Sequence, residues 1–234
     1  MIKTDFIFYM NELGIKLTDT QIKQFETYIL LLQEWNQKIN LTTIIETNDI
    51  YLKHFYDSAT LVKGVDFNNV SNVCDVGTGA GFPGLVIKIL YPNIKLTLVD
   101  SLNKRILFLN EVISQLKLNQ VECVHDRAEL FGKKRRNEFD IVTSRAVSKL
   151  NTLLEYCIPL TKVGGMFIAM KANLNQELEE SKNALINLDC VIKKIETFDL
   201  PTEAGVRNLI FVEKTKDTNL LYPRENKEIK DKPL

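Results

Sequence analysis

The chain lacks the features that would indicate a membrane protein, a disulfide-rich secreted domain or a zinc protein. No apolar run approaches the roughly 20 residues needed to cross a bilayer, and an early acid at the N-terminus predicts that there is no signal peptide. The sequence has four cysteines, two histidines and no Cys-x-x-Cys pair. We therefore expect no metal site, free thiols and a cytoplasmic protein. The cysteines are Cys74, Cys123, Cys157 and Cys190.

An excess of charge of either sign is also missing, because 30 lysines and arginines balance 30 aspartates and glutamates. This balance argues against a protein that coats nucleic acid through overall positive charge, but it permits an enzyme with a local basic patch. The densest basic run is Lys133–Arg136. It is either a solvated loop or a contact with an RNA backbone.

Hydrophobic periodicity divides the chain into three parts. Residues 1–65 carry helical patterns, one of them opened by the capping-box signal of Thr18 and Gln21, and predict a helical cap. Residues 66–214 alternate strand and helix patterns, which predicts an α/β fold with a mostly parallel sheet and helices on both faces. Residues 215–234 predict a polar tail on or near this domain. The predicted strands are 72–76, 96–99, 121–124, 139–143, 166–170, 190–198 and 209–212.

The segment 73–84 carries the clearest signal for a ligand site. A short apolar run containing Asp75 leads into a loop with four glycines, and a second apolar run ends at Asp100. Glycines allow sharp turns and close approach of the backbone to a ligand, and an acid at the end of the second strand can bind ribose hydroxyls. The glycines are Gly77, Gly79, Gly81 and Gly84.

Two nucleotide cofactors compete for this loop. Residues 79–84 fit G-x-G-x-x-G, and Asp100 lies 21 residues after Gly79, so an NAD(P)-dependent oxidoreductase is the alternative. Asp75 at the strand end suits a cationic ligand, and Pro83 removes an N–H group that a pyrophosphate would use. The Asp-x-Gly-x-Gly-x-Gly pattern is typical of class I S-adenosylmethionine-dependent methyltransferases, whose Rossmann-like fold we therefore predict.

The segments after the third and fourth strands extend this prediction. Ala128 and Glu129 follow the third strand, where the loop of this fold closes over adenine. After the fourth strand there is neither an Asn-Pro-Pro-Tyr loop nor a Pro-Cys pair, and Arg145 stands there instead. Arginine is no base, but it binds phosphate, carboxylate or a guanine edge. An acceptor that needs no deprotonation, such as guanine N7, fits this segment. We predict that Arg145 is the catalytic residue and orients the base or the cofactor, and the alternative role of Arg145 is a salt bridge.

Several segments together resemble the bacterial 16S rRNA guanine-N7 methyltransferases, the glucose-inhibited division protein B family. The resemblance runs almost end to end and includes segments that methyltransferases do not generally share. These segments are 35–42, 54–58, 75–84, 98–101, 104–105, 108–109, 127–129, 143–146, 222–224 and 232–234.

The resemblance implies methylation of one guanine in the decoding-region loop of 16S rRNA, with naked rRNA or the small ribosomal subunit as the partner. It implies cofactor contacts at Gly77, Phe82, Ala128, Glu129 and Arg145, in addition to those predicted for Asp75, Gly79 and Asp100. Three further residues, His54, Lys171 and Arg207, are candidates for RNA contact or for structural roles. We expect a monomer that binds no membrane.

Overall fold

The computed structural model describes residues 1–145, 148–174 and 176–234. A seven-stranded sheet forms its centre, in the order β3-β2-β1-β4-β5-β7-β6. All seven predicted strands are confirmed, and the sheet is mostly parallel as predicted. The strands are β1 (Asn72–Val76), β2 (Lys95–Asp100), β3 (Val121–His125), β4 (Phe139–Arg145), β5 (Thr161–Lys171), β6 (Cys190–Asp199) and β7 (Val206–Lys214).

Strand order creates a natural ligand site between β1 and β4. The strands β1 to β3 run outward in one direction, whereas β4 and β5 continue the parallel sheet in the other direction. Connections therefore diverge between β1 and β4, which leaves a crevice at the carboxyl ends of these strands. The last strand, β7, is antiparallel and inserts between β5 and β6.

Helices cover the sheet and build the N-terminal region. The capping box predicted at Thr18 is present, since Thr18 Oγ1 accepts from Gln21 N and Gln21 Oε1 accepts from Thr18 N. The later part of the helical region predicted at 1–65 is irregular, because it includes a π helix over Ile50–Tyr56. The α helices are α1 (Lys3–Glu12), α2 (Asp19–Asn36), α3 (Thr47–Asp49), α4 (Asp57–Ala59), α5 (Gly84–Leu90), α6 (Asn103–Gln115), α7 (Ala128–Lys134), α8 (Leu150–Cys157), α9 (Glu177–Glu180), α10 (Lys182–Asn187) and α11 (Asn226–Asp231).

The N-terminal region packs directly on the sheet domain through aromatic side chains. Phe25 lies 4.8 Å from Phe55 between ring centroids, and Tyr28 stacks on Phe82 at 5.4 Å. Phe82 belongs to the glycine loop, so one apolar core includes both parts of the chain. Burial of this aromatic surface orders the loop from its underside.

The C-terminal tail folds back on the domain and ends with the short helix α11. Ile229 is fully buried against the second apolar cluster, which contains side chains of β4, α8 and β5. The buried Glu155 accepts hydrogen bonds from Arg224 Nε at 2.9 Å and Nη2 at 2.7 Å. These contacts hold the tail close to the carboxyl ends of the strands.

One predicted feature falls partly outside the described residues, namely Ala146, the last residue of the resembling segment 143–146. Within the described part of the chain, no helix is both long enough and apolar enough to cross a membrane.

Candidate active site

A cavity of about 770 Å³ opens at the carboxyl ends of β1, β2, β3 and β4. Its wall includes the glycine loop, the end of β2, the start of α7 and Arg145, as the sequence motifs predict. It also includes side chains from distant parts of the chain. The predicted site residues that line it are Gly77, Gly79, Phe82, Asp100, Ala128, Glu129, Arg145 and His54.

The glycine loop depends on backbone conformations that other residues rarely adopt. Gly79 has φ +61° and Gly81 has φ +95°, both in the left-handed region. At Gly81 a Cβ atom would also collide with the Tyr28 hydroxyl and the Leu85 side chain. Tyr28 itself donates a hydrogen bond from its hydroxyl to the Ala80 carbonyl. The loop is therefore shaped jointly by its own sequence and by α2.

Asp75 lies beneath this loop and does not line the cavity. Its Oδ2 accepts from Thr78 Oγ1 at 2.8 Å and from Gly84 N at 2.9 Å, while its Oδ1 has no partner among the described residues. Complete burial raises the pKa of Asp75 to about 6. The carboxylate therefore fixes the shape of the glycine loop through these hydrogen bonds. The negative charge of its unpaired oxygen would favour a positively charged ligand in the cavity above.

Asp100 at the end of β2 lines the cavity with a nearly buried carboxylate. Its Oδ2 accepts from Gly79 N and from Arg105 Nη1, both at 3.0 Å, and its Oδ1 accepts from Leu102 N at 2.9 Å. An ionised carboxylate offers about four acceptor positions, so room for a ligand hydroxyl remains. This geometry fits the predicted contact with a ribose diol.

Glu129 lies in the first turn of α7, and it lines the cavity although only 4% of its surface is exposed. Its carboxylate makes no hydrogen bond to the described residues. Because Glu129 lines the cavity and its carboxylate has acceptor positions left, the position favours a ligand with hydroxyl or amine donors. The neighbouring phenol of Tyr156 also lines the cavity, and burial together with the Glu129 charge raises the pKa of Tyr156 to about 12.

Arg145 at the end of β4 is held on three sides by the N-terminal region. Its Nη1 donates to the Lys53 carbonyl at 2.9 Å and lies 3.3 Å from Asp57 Oδ2, and its Nη2 donates to His54 Nδ1 at 3.0 Å. The position of Arg145 is compatible with both a structural role and a role toward a ligand, because Arg145 forms a salt bridge and still lines the cavity.

His54 is a neutral, buried member of the same wall. Because its Nδ1 accepts from Arg145, its proton is on Nε2, which donates to Thr42 Oγ1 at 3.0 Å. Burial and the Arg145 charge lower the pKa of His54 to about 3. Its ring stacks on Phe82 with 4.4 Å between centroids, and the Arg145 guanidinium lies 5.2 Å from the centre of the same ring. Phe82 therefore forms a wall of the cavity, as predicted, and also anchors the core.

Lys171 and Arg207 lie outside the cavity lining. Lys171 Nζ donates to the Ser148 carbonyl at 2.5 Å and pairs with Glu177 at 2.7 Å, so it braces the chain that follows β4. Arg207 Nε lies 3.1 Å from both carboxylate oxygens of Asp57, with 18% of its side chain exposed. Both cations have partners within the protein.

The basic run Lys133–Arg136 is largely paired internally. Arg136 donates to the carbonyls of Tyr222 and Thr218, and Arg135 pairs with Glu138 and Glu122. Lys133 and Lys134 pair with Glu225 and Asp126. The structure places this run at the end of α7 and not in a solvated loop, and Lys133 and Arg136 join it to the tail. A contact with an RNA backbone stays a prediction.

Sequence reasoning missed functional candidates that come from remote segments. Asp57 was recognised only within a resembling segment, yet its buried carboxylate joins Arg145 and Arg207. Tyr156, Asn226 and Lys230 line the cavity but carry no local motif. No periodicity or spacing in the chain places these side chains near the glycine loop.

The sequence matches the GidB family, described as "rRNA small subunit methyltransferase G", over residues 21–208. The chain belongs to this family. A protein named ribosomal RNA small subunit methyltransferase G from Staphylococcus haemolyticus is 50% identical, with 92% of this chain and 91% of that protein covered. The protein of the same name from Staphylococcus aureus strain Newman is 49% identical over the same shares of the two chains.

Solved structures support the fold alone. The ribosomal protein L11 methylase of Lactobacillus delbrueckii subsp. bulgaricus has a TM-score of 0.54 at 15% identity, covering 70% of this chain and 79% of that one. The precorrin-6y C5,15-methyltransferase of Geobacter metallireducens has a TM-score of 0.51 at 14% identity, covering 75% and 92%. The predicted class I methyltransferase fold is confirmed.

Membership of the family confirms the prediction of an S-adenosylmethionine-dependent rRNA methyltransferase. The alternative, an NAD(P)-dependent oxidoreductase that uses residues 79–84, finds no support among these relatives. The predicted contact of Asp75 with a cationic ligand stays a prediction, and Asp75 lies beneath the glycine loop, outside the cavity lining.

Proposed function

We propose that this enzyme transfers the methyl group of S-adenosylmethionine to N7 of a guanine in the decoding-region loop of 16S rRNA. The observation that carries the choice of atom is the lack of a usable base among the described residues at the β4 end of the cavity. Arg145 is a cation, and His54 has a pKa of about 3 with both ring nitrogens hydrogen-bonded. Guanine N7 has a free lone pair and needs no base.

Different residues of the cavity fit different parts of the methyl donor, S-adenosylmethionine. Asp100 is placed for the ribose hydroxyls, and Ala128 and Glu129 for the adenine. Gly77 and Gly79 bring bare backbone to the ligand, and Phe82 supplies an apolar wall. The bound cofactor supplies an electrophilic methyl on a sulfonium, and the negative charge of Asp75 beneath the loop favours that cation.

Catalysis on this site consists of positioning and electrostatics. A neutral nucleophile attacks in line with the methyl–sulfur bond, so the protein must hold the two reactants at the right angle and distance. Arg145 is placed to orient the base through its O6 and N7 edge or to orient the cofactor. Asp57 binds Arg145 and Arg207 together, and it sets the position of the guanidinium.

The RNA side of the site involves the face that carries His54, Arg207 and Lys171. We infer that Arg207, which keeps part of its side chain exposed, contacts the RNA backbone. His54 orients Arg145, and Lys171 holds the segment after β4 through the Ser148 carbonyl. We infer a cytoplasmic monomer, because one chain lines the whole described cavity and its substrate is the small-subunit rRNA.

The decisive experiment maps N7-methylguanine in 16S rRNA. Small subunits lacking the modification are incubated with the enzyme and S-adenosylmethionine, and chain cleavage at N7-methylguanine identifies the site. We expect one new modified guanine in the decoding-region loop. The variant Arg145→Lys keeps the charge but loses the planar donor fork, so we expect its kcat to fall at least tenfold.

The matched control is Lys95→Arg, which makes the reverse exchange of cations at an exposed position that does not line the cavity. Its rate should stay within about twofold of wild type, which corresponds to ~0.4 kcal/mol. Methyl transfer to another atom of the rRNA would contradict the assignment to N7, and an unmodified rRNA would contradict the proposed activity.

A further inference from the structure

The C-terminal helix α11 reaches the cavity at the end that carries Glu129. Asn226 and Lys230 of this helix are among the lining residues, beside Tyr156. The Tyr156 hydroxyl donates to Asn226 Oδ1 at 3.1 Å. The Glu129 charge acts on the same phenol. The shared cavity wall and the hydrogen bond from Tyr156 place Asn226 at the end of the cavity that carries Glu129, which is the end proposed for adenine.

The position of α11 is built into the fold. Ile229 on this helix is fully buried, and the Asn151 side chain donates to the Leu234 carbonyl at 3.2 Å beyond it. Arg224, just before the helix, makes a two-pronged ion pair with the buried Glu155. A helix held at both ends presents its side chains to the cavity before any ligand arrives, which lowers the ordering cost of binding.

The hydrogen-bonding capacity of Asn226 is only partly used. Its carbonyl oxygen accepts from Tyr156, whereas its amide nitrogen makes no hydrogen bond to the described residues. An adenine ring offers nitrogen acceptors and one exocyclic amine donor. The free amide of Asn226 complements the ring acceptor N1 beside the exocyclic amine, and the unpartnered carboxylate of Glu129 complements that amine.

We propose that Asn226 contacts the adenine of the methyl donor, that Tyr156 fixes the orientation of the Asn226 amide, and that α11 forms the outer wall of the base subsite. This inference rests on the proposed use of S-adenosylmethionine. It gives the C-terminal tail a direct part in recognising the cofactor. Lys230, exposed at the rim, has no role in holding the base.

Calorimetric titration with S-adenosylhomocysteine tests the proposal without any need for RNA. Loss of one hydrogen bond in Asn226→Ala should raise Kd about fivefold to tenfold. Tyr156→Phe removes only the orienting hydroxyl, so we expect a rise of about twofold to threefold. Lys227→Ala changes an exposed residue of the same helix that does not line the cavity, and its Kd should equal that of wild type.

A second ligand shows whether the contact is with the base. S-inosylhomocysteine replaces the exocyclic amine of adenine by a carbonyl and moves a proton onto the ring. Wild type should prefer the adenine ligand, and Asn226→Ala should reduce that preference by at least threefold. An unchanged preference would overturn the proposal, even if the Kd for both ligands rose together.

The outcomes separate this inference from the function on which it rests. If wild type binds S-adenosylhomocysteine and Asn226→Ala binds it equally well, the inference fails and the proposed cofactor stands. If Asn226→Ala changes only the KM for rRNA, the helix faces the RNA and the inference also fails. If wild type binds neither ligand, both the proposed function and this inference fail. Thermal melting of each variant confirms that the compared proteins are folded.

Discussion

Asp75 combines a structural and an electrostatic role in one side chain. One carboxylate oxygen ties together Thr78 and Gly84 across the glycine loop, and the other has no partner among the described residues. Thr78 and Gly84 stabilise the ionised form, but burial outweighs them and the pKa rises from 3.8 to about 6. The charge of this group therefore changes within the range of ordinary assays.

The affinity for the cofactor should change with pH as the Asp75 carboxyl group ionises. Above pH 6 the group is ionised and attracts the sulfonium, so the Kd for S-adenosylmethionine should fall about fivefold between pH 5 and pH 7, or ~1 kcal/mol. S-adenosylhomocysteine lacks that positive charge and should change less. Asp75→Asn should abolish the difference between the two ligands, as measured by titration calorimetry at several pH values.

The same group affects the free energy of unfolding with a defined sign. Because its pKa is raised in the folded state, its contribution to stability is complete below pH 3.8 and is lost as the pH rises through about 6. Asp19→Asn, at an exposed position of α2, serves as the control for both measurements. Equal pH profiles for the two variants would contradict this role of Asp75.

Single residues were predictable from the sequence where their role is local. The glycines and the acids at the ends of β1 and β2 stand in one short pattern whose backbone demands are recognisable, and all of them lie at or beneath the cavity. For His54 the sequence leaves an RNA contact and a structural role open, and the structure shows a neutral ring stacked on Phe82 and bonded to Arg145. That arrangement depends on packing between segments that are far apart in sequence.

At the scale of elements, the strands were predictable because each is a short apolar run between turn signals. The pairing of the last strands was not, because insertion of β7 between β5 and β6 depends on contacts between separate segments. The same limit applies to the helical content of the tail. Its sequence is polar, and α11 is held by tertiary contacts of Ile229 and Arg224 with the domain.

The pair formed by Arg224 and Glu155 should dominate the attachment of the tail. Glu155 has 1% of its side chain exposed, so Arg224→Ala leaves a buried carboxylate without its cation. We expect a loss of about 3 kcal/mol in the free energy of unfolding. Amide hydrogen exchange in residues 226–231 should increase more than exchange in the sheet.

The control for this element is Lys232→Ala, which removes an exposed cation of the same tail. Its stability should stay within about 0.5 kcal/mol of wild type. If Arg224→Ala were equally mild, the tail would be held by apolar burial alone. Denaturant unfolding of the two variants side by side distinguishes these cases.

At the scale of the whole molecule, the N-terminal region and the sheet domain share an apolar core. The chain of aromatic contacts runs from Phe6 through Phe25 and Phe55 to Phe82 in the glycine loop. The ion pair between Arg145 and Asp57 joins the same two parts at the wall of the cavity. The division at residue 65 therefore follows the sequence pattern, whereas the packing links both sides of it.

This shared core predicts that both parts unfold together. Phe25 is fully buried, so Phe25→Ala should lower the free energy of unfolding by about 3–5 kcal/mol while the transition stays single. Near-ultraviolet and far-ultraviolet circular dichroism should give coincident melting curves. Phe8→Ala, at a position with 58% exposure on α1, should have little effect.

A first transition confined to the helices, with the sheet still folded, would show that the N-terminal region is an independent unit. In that case the glycine loop would owe its shape to its own sequence rather than to Tyr28 and its neighbours.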